Sequence, residues 1–274
     1  MITVIDSNRI ASSIPEGSAS HMLSPSISET RVEVSTYEVH ASKALRIRAS
    51  DRSQVVYILD GKDAEIAYTS EGKTTTHPAQ KTCGVYLEPN EEAVIKASST
   101  PVKLLHITVP KYTGKPISGQ PRGYFFEESK LQVLVDERRI RTRTFWVNKE
   151  TGLSGSWDLQ AGRMLYEPHA HAPRHVHHAG KNSSVAPEHF YLINVGTGFV
   201  KHDEGSIPLG AGDLVLIPAG EWHQLHATDT GLDYIEFQGP FDFATTMDHD
   251  PLGKNWYIKG TDDGKGNLKL WVQS

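Results

Sequence analysis

The stretch PRHVHHAG, residues 173–180, carries three of the chain's 14 histidines, and nine of the 14 fall between His169 and His226. Such a density suits metal chemistry, because imidazole is the commonest side-chain ligand for transition ions. His175 and His177 are two apart, so on a β-strand both rings point to one face. His178 then points the other way. His189 begins the apolar run HFYLINVG, and His223 follows the turn Pro218–Gly220 in DLVLIPAGEWHQ. Antiparallel strands of a small barrel can bring these four rings to one interior point. Fe(II), Mn(II), Ni(II), Zn(II) and Cu(II) all accept such a donor set. Tyr191 shares the inward parity of His189, which places it as a candidate donor to a bound substrate. Glu188 has the opposite parity and replaces His189 as ligand only if the strand begins with a bulge.

The elements that must position these residues are short. Runs such as VVYILDG, GVYLEP, VKLLHITV, FYLINVG, DLVLIP and LDYIEF alternate with Gly and Pro turns, which reads as an all-β barrel or sandwich. The chain also repeats itself. Residues 54–66 resemble 189–201, residues 84–95 resemble 213–224, and residues 102–110 resemble 232–240, in the same order. Two copies of one β-module follow. The expected organisation is an N-terminal arm at 1–30, a first barrel at 31–112, a linker at 113–141, a second barrel at 142–242 and a C-terminal extension at 243–274.

The histidine-bearing copy resembles the cupin superfamily, and the repeat makes the chain resemble a bicupin. Cupins carry a first motif G-x5-H-x-H-x3-4-E-x6-G and a second motif G-x5-P-x-G-x2-H-x3-N. PHAHAPRHVH has the proline, turn and H-x-H order that ends on His175 and His177. GDLVLIPAGEWHQLHA follows the second motif from Gly212 through Pro218 and Gly220 to His223, with Ala227 where asparagine is usual. His189 stands at the usual glutamate, after a longer loop running from Ala179 to Pro187. In the first copy Gln54 holds the place of His189, Arg48 and Ser50 the H-x-H places, and Val94 the place of His223. The first barrel is therefore expected to be metal-free and structural, with His106 a hydrogen-bonded core residue.

The resemblance implies tandem cupin jelly-roll barrels with one metal ion, held by His175, His177, His189 and His223, in the second. The implied activity is that of a mononuclear metal enzyme, foremost an Fe(II) dioxygenase acting on a small chelating or anionic substrate. Non-redox isomerase, hydrolase or decarboxylase chemistry with Mn, Zn or Ni is the alternative, and a ligand-binding bicupin without turnover is the third. Bicupin ureidoglycine aminohydrolases are similar in size, but their pattern lacks the H-x-H. Bicupins are often oligomeric, so a homodimer or higher homo-oligomer is expected.

The bulk composition fits. The formal net charge is −5, which favours neither nucleic acid nor an anionic membrane as partner. The basic cluster DERRIRTR, residues 136–143, reads as a solvated linker or edge strand. One cysteine, Cys83, excludes an internal disulfide and a cysteine-based zinc site. The N-terminal residues lack the pattern of a secretory signal, and a cytoplasmic location is expected. GTDDGKGN, 260–267, reads as a hairpin turn. His21, His40, His202 and His249 read as ordinary surface or core histidines, and His226 falls on the face opposite His223. His169 and His171 read as candidates for the barrel mouth or for partners of the ligands.

Overall fold

The computed structural model describes residues 1–6, 19–22, 32–110, 123–148, 159–180, 187–239, 243–248, 255–259 and 270–272. The turn expected at 260–267, the centre of the 179–187 loop and His249 lie outside them. The described residues form strands, turns and one 3-10 turn at Glu128–Lys130. No helix among them is long and apolar enough to cross a membrane. Two compact units divide the chain. One contains Ser7–Leu131 and Trp146–Leu159, the other Met1–Asp6, Gln132–Phe145 and Gln160–Ser274.

The N-terminal unit has a six-stranded and a four-stranded antiparallel sheet. Strand Glu92–Ala97 shows how sequence becomes sheet: Ala93, Ile95 and Ala97 are buried, while Glu92 and Lys96 on the other parity are not. Strand Arg52–Asp60 is covered on both faces from Ser53 to Ile58, and its central VVYI run is accordingly continuous. The core draws Val56, Ile58, Val85, Leu87 and Leu104 from one sheet and Ile47, Ile66 and Ile95 from the other. Among the described residues no group of three or more potential metal ligands occurs in this unit. Gln54 instead accepts or donates within the protein: its amide nitrogen donates to the Arg48 carbonyl at 3.2 Å, and its Oε1 lies 3.0 Å from His106 Nε2.

In the C-terminal unit two long strands, Glu188–His202 and His223–Gly239, pair along most of their length. Their register shifts at Ile193/Val195 and at Gly196/Gly198. Such irregularities bend the ribbon and raise its twist. Gly196 sits there at φ +94°, and a Cβ on it would lie 2.1 Å from the Gly231 carbonyl oxygen. Only glycine allows that backbone crossing. The core gathers Met164, Tyr166, Tyr191, Ile193, Val215, Ile217, Leu225, Tyr234 and Trp256.

The internal repeat is a repeat of register. Gln54 pairs with Leu87 on one side and Thr108 on the other. His189 pairs in the same way with Ile217 and Gln238. Both alignments make residue 106 the counterpart of residue 236.

Several segments lie elsewhere than the sequence pattern suggested. Within the stretch read as a linker, Tyr124–Glu127 pairs with Cys83–Leu87 in the N-terminal unit. Val133–Asp136 pairs with Arg141–Val147. Their apolar residues Phe126 and Leu134 are buried, which is why this stretch is sheet. Residues Thr3–Asp6 of the expected arm add a strand beside Asp213–Ile217, with Ile2 buried. In the expected extension, Phe243–Met247 pairs with His175–Ala179, and Asn255–Ile258 pairs with Val133–Asp136. DERRIRTR is solvated only in part: Arg139 is exposed, but Asp136, Arg141 and Arg143 are buried. Of its four arginines, Arg141 and Arg143 share one strand parity, and each meets an inward carboxylate.

Burial lowers the His106 imidazole to about 4, with the nearby Arg52 charge assisting. The unfolded chain therefore binds a proton that the folded chain refuses as pH falls from about 6.5 towards 4. This contribution to stability is complete above pH 6.5 and is lost across that window. The urea midpoint of the wild type should fall on going from pH 7 to about pH 4.5, and His106→Gln should show a shallower fall. Equal pH slopes for the two proteins would remove His106 from the account.

Candidate metal centre

His175, His177, His189 and His223 are buried together, and one potential ligand atom from each lies within 4.8 Å of all the others. His175 sits opposite His223 in the pairing of their strands. His177 follows two residues on, and His189 opens the strand Glu188–His202. The ring centroids are 4.2 Å apart for His175–His223 and 4.6 Å for His177–His189. Imidazole nitrogens about 2.1 Å from one ion lie at most about 4.2 Å apart, so the four rings stand close to a closed coordination set.

The hydrogen bonds decide which nitrogen each ring offers. His175 Nδ1 donates to the Pro173 carbonyl at 2.8 Å, and His223 Nδ1 to the Glu221 carbonyl at 2.9 Å. His177 Nδ1 is 3.1 Å from Thr245 Oγ1. His189 is turned the other way, with Nε2 donating to Glu236 Oε1 at 2.8 Å. The nitrogens left over, Nε2 of His177 and His223 and Nδ1 of His189, are buried with no hydrogen-bond partner. Each such orphan is costly unless something accepts it. Rings anchored through one nitrogen and bare at the other are how proteins present imidazole to a metal. Burial, aided for His177 and His223 by the neighbouring imidazoles, lowers all three rings' proton affinity: His175 to about 4, His177 and His223 well below the ordinary value. All three are therefore neutral, the form that binds cations. A divalent metal could be bound by this buried four-histidine group.

A carboxylate that the motifs did not reveal completes the arrangement. Glu236 is buried between His189 and Arg143, whose Nη2 donates to Glu236 Oε2 at 2.6 Å. Burial alone would raise the Glu236 carboxyl, but Arg143 and the His189 hydrogen bond outweigh it and hold it at about 2. On the strand between, Gly162 pairs with Glu236. A Cβ on Gly162 would fall 2.4 Å from the Thr144 carbonyl oxygen, so the missing side chain lets strand Arg141–Val147 pack close. The sequence signal for Glu236 was an acid inside the apolar run LDYIEF at the inward parity of Tyr234.

The other candidates separate clearly. Tyr191 is buried with its ring 4.6 Å from that of His189, and burial together with Glu236 raises its phenol well above the ordinary value, so it stays protonated. Glu188 is half-buried, pairs with Gly239, and is not among the four grouped residues. His178 and His169 are exposed. His171 and His226 bridge their strands with rings 5.2 Å apart, outside the group of four.

Beside the centre lies a small cavity. His175, Tyr191 and Glu236 reach it from the centre, and Arg141, Arg143, Tyr166, Tyr234, Met247 and Trp256 close it. Met247 and Trp256 come from the C-terminal segment, as does Thr245. Phe243, from the same segment, stacks edge-on against His177 at 5.2 Å.

The family model described as an AraC-like ligand binding domain matches residues 166–243. Among curated proteins, none matches the sequence closely enough to count as a relative. Solved structures do match in fold. The protein Ylba from E. coli superposes with a TM-score of 0.64 at 16% identity, covering 87% of this chain and 90% of that one. An oxalate decarboxylase from Lactobacillus farciminis, in a formate complex, gives 0.69 at 11%, covering 89% and 88%. Vicilin from hazelnut, Corylus avellana, gives 0.64 at 10%, covering 89% and 87%. Proteins of widely different sequence thus share one architecture, and this chain has it too: its fold is that of the bicupins, two cupin barrels in tandem.

Proposed function

We propose that the C-terminal barrel is the working half of a mononuclear metal enzyme, with His175, His177, His189 and His223 as the ligands. The observation that carries this reading is the set of buried, unpartnered imidazole nitrogens, each on a ring whose other nitrogen is tied to the protein. A bound divalent ion would supply Lewis acidity to a coordinated substrate and, as Fe(II), an electron path to O2. The protein's own groups do the rest. Glu236 fixes the tautomer and plane of His189, Thr245 does so for His177, and the buried walls keep water away. Tyr191 offers a protonated phenol beside His189.

The reaction proposed is Fe(II)-dependent dioxygenation of a small organic anion. Four neutral imidazoles leave both charges of the ion uncompensated, which favours an anionic chelator. A non-redox reaction with Mn(II), Zn(II) or Ni(II) stands beside it. It is supported by Glu236, a carboxylate kept ionised within reach of the site, and by the shared fold with oxalate decarboxylases.

His175→Ala and His223→Ala should each lose the metal that the purified wild type retains, read by elemental analysis. Full occupancy in both variants would remove the ligand assignment. Anaerobic reconstitution with Fe(II), followed by O2 and candidate chelating acids, should give substrate-dependent O2 uptake. Turnover without O2 uptake, using Mn(II), would select the non-redox reading.

Glu236→Ala should act twice. Removing a carboxylate that orients a ligand weakens metal binding by about 10–100-fold, measured by chelator competition. Leaving the buried Arg143 unpaired costs about 3–5 kcal/mol of stability, measured by urea unfolding of the metal-free protein. Unchanged values on both counts would sink the proposed role of Glu236.

A further inference from the structure

The cavity beside the histidine centre has a wall that the metal reading leaves unused. Arg143 is buried and makes three contacts of different kinds. Nη2 is spent on Glu236, Nε faces Met164 Sδ at 2.9 Å, and the guanidinium lies 5.0 Å from the centre of the Trp256 ring. Its remaining nitrogen, Nη1, is buried with no hydrogen-bond partner. Trp256, also on the wall and 1% exposed, has the same deficit at Nε1. Two orphaned donors therefore belong to adjacent residues lining one small cavity. Buried donors without acceptors are rare and costly in a native protein, and two together point to an absent acceptor. Tyr191 and Tyr234 add further hydroxyl groups to the same walls.

The charge count narrows what that acceptor is. Arg141 is matched by Asp136 at 2.8 Å and Arg143 by Glu236 at 2.6 Å. No acidic side chain among those lining the cavity remains to offset a divalent ion on four neutral imidazoles. A ligand with two acceptor atoms and one negative charge meets both requirements. A carboxylate has that geometry, and a planar guanidinium is the donor best shaped for it.

We infer that the cavity is a carboxylate-binding subsite, in which Arg143 Nη1 and Trp256 Nε1 donate to the two oxygens of a small carboxylic acid whose other end faces the histidine centre. The substrate class is thus a short-chain carboxylate with a second metal-binding group. This rests on the proposed metal centre for the second group, but the Arg143–Trp256 anchor belongs to the protein alone.

The test compares glycolate with its neutral isostere glycolamide by calorimetry on full-chain protein, both metal-free and loaded with Zn(II). Glycolate should bind, and glycolamide should bind at least about tenfold more weakly, since a charge-assisted hydrogen bond is lost. Arg143→Gln should weaken glycolate about tenfold or more, and Trp256→Phe, which keeps the ring and loses only the N–H, about threefold or more. Should Arg143→Gln fail to fold by circular dichroism, Trp256→Phe and the acid–amide contrast decide the matter. Equal binding of acid and amide, wild-type affinity in the variants, or no glycolate binding up to about 10 mM overturns the subsite. Zinc content of the same samples keeps the two readings apart. Acid–amide discrimination without zinc uptake would uphold the subsite and reject the metal centre. Full zinc with no discrimination would do the reverse.

Discussion

A single buried carboxylate ties the four-histidine group to the wall of the C-terminal barrel. Glu236 lies under almost complete cover, where an isolated charge would be untenable. It persists because two neighbours, His189 and Arg143, occupy one oxygen each. The three residues sit on three different strands. Glycine at position 162, on the strand that separates Glu236 from Arg143, lets the backbones close up. The carboxylate therefore sets the orientation of one imidazole, the packing of the barrel wall and the state of the arginine at once. Buried ion pairs of this kind add little net stability over apolar packing, but removing one partner is costly. What the arrangement secures is geometry: His189 is the one ring of the four turned to offer Nδ1.

The other three rings follow the opposite rule. Two are pinned through Nδ1 by backbone carbonyls two residues earlier, at Pro173 and Glu221, and His177 by Thr245. Local chain geometry thus positions His175 and His223, whereas His177 depends on a strand from the far C-terminal segment. That segment also supplies Met247 and Trp256 to the cavity. The centre is consequently assembled from a strand–turn framework near at hand and a cover that arrives from the end of the chain.

This division explains what could be read from the amino acids. The H-x-H pair, the turn before His223 and the inward parity of His189 are local signals, governed by the two-residue period of a strand, and the structure brings those residues together. The repeat was legible for the same reason, since matched runs give matched register. Arg143 and Glu236 escaped because they are 93 positions apart and pair only through the sheet. DERRIRTR resembled solvent-exposed charge, yet its inward arginines meet Asp136 from the same run and Glu236 from another strand. A charge run reveals its burial only when the partner's position is known. The strands at 124–127 and 133–136 were hidden by a similar effect. Each is too short to announce itself, and each exists because a sheet edge was waiting for it.

The two barrels satisfy their matching polar pairs in different ways. Gln54 and His106 occupy the places that His189 and Glu236 occupy in the second copy, and their side chains meet across the strands in the same way, at 3.0 Å against 2.8 Å. The polar pair survives in both, but its chemistry is exchanged. In the first barrel an amide and a neutral imidazole satisfy one another, the amide nitrogen is taken up by the Arg48 carbonyl, and apolar side chains fill the space around them. Neither side chain of this pair is among the described buried groups left without a partner. In the second barrel an imidazole and a carboxylate satisfy one another, and three further imidazoles crowd the same point with nitrogens to spare. The absence of a four-histidine group from a barrel of this kind therefore does not require the absence of a polar pair across its strands.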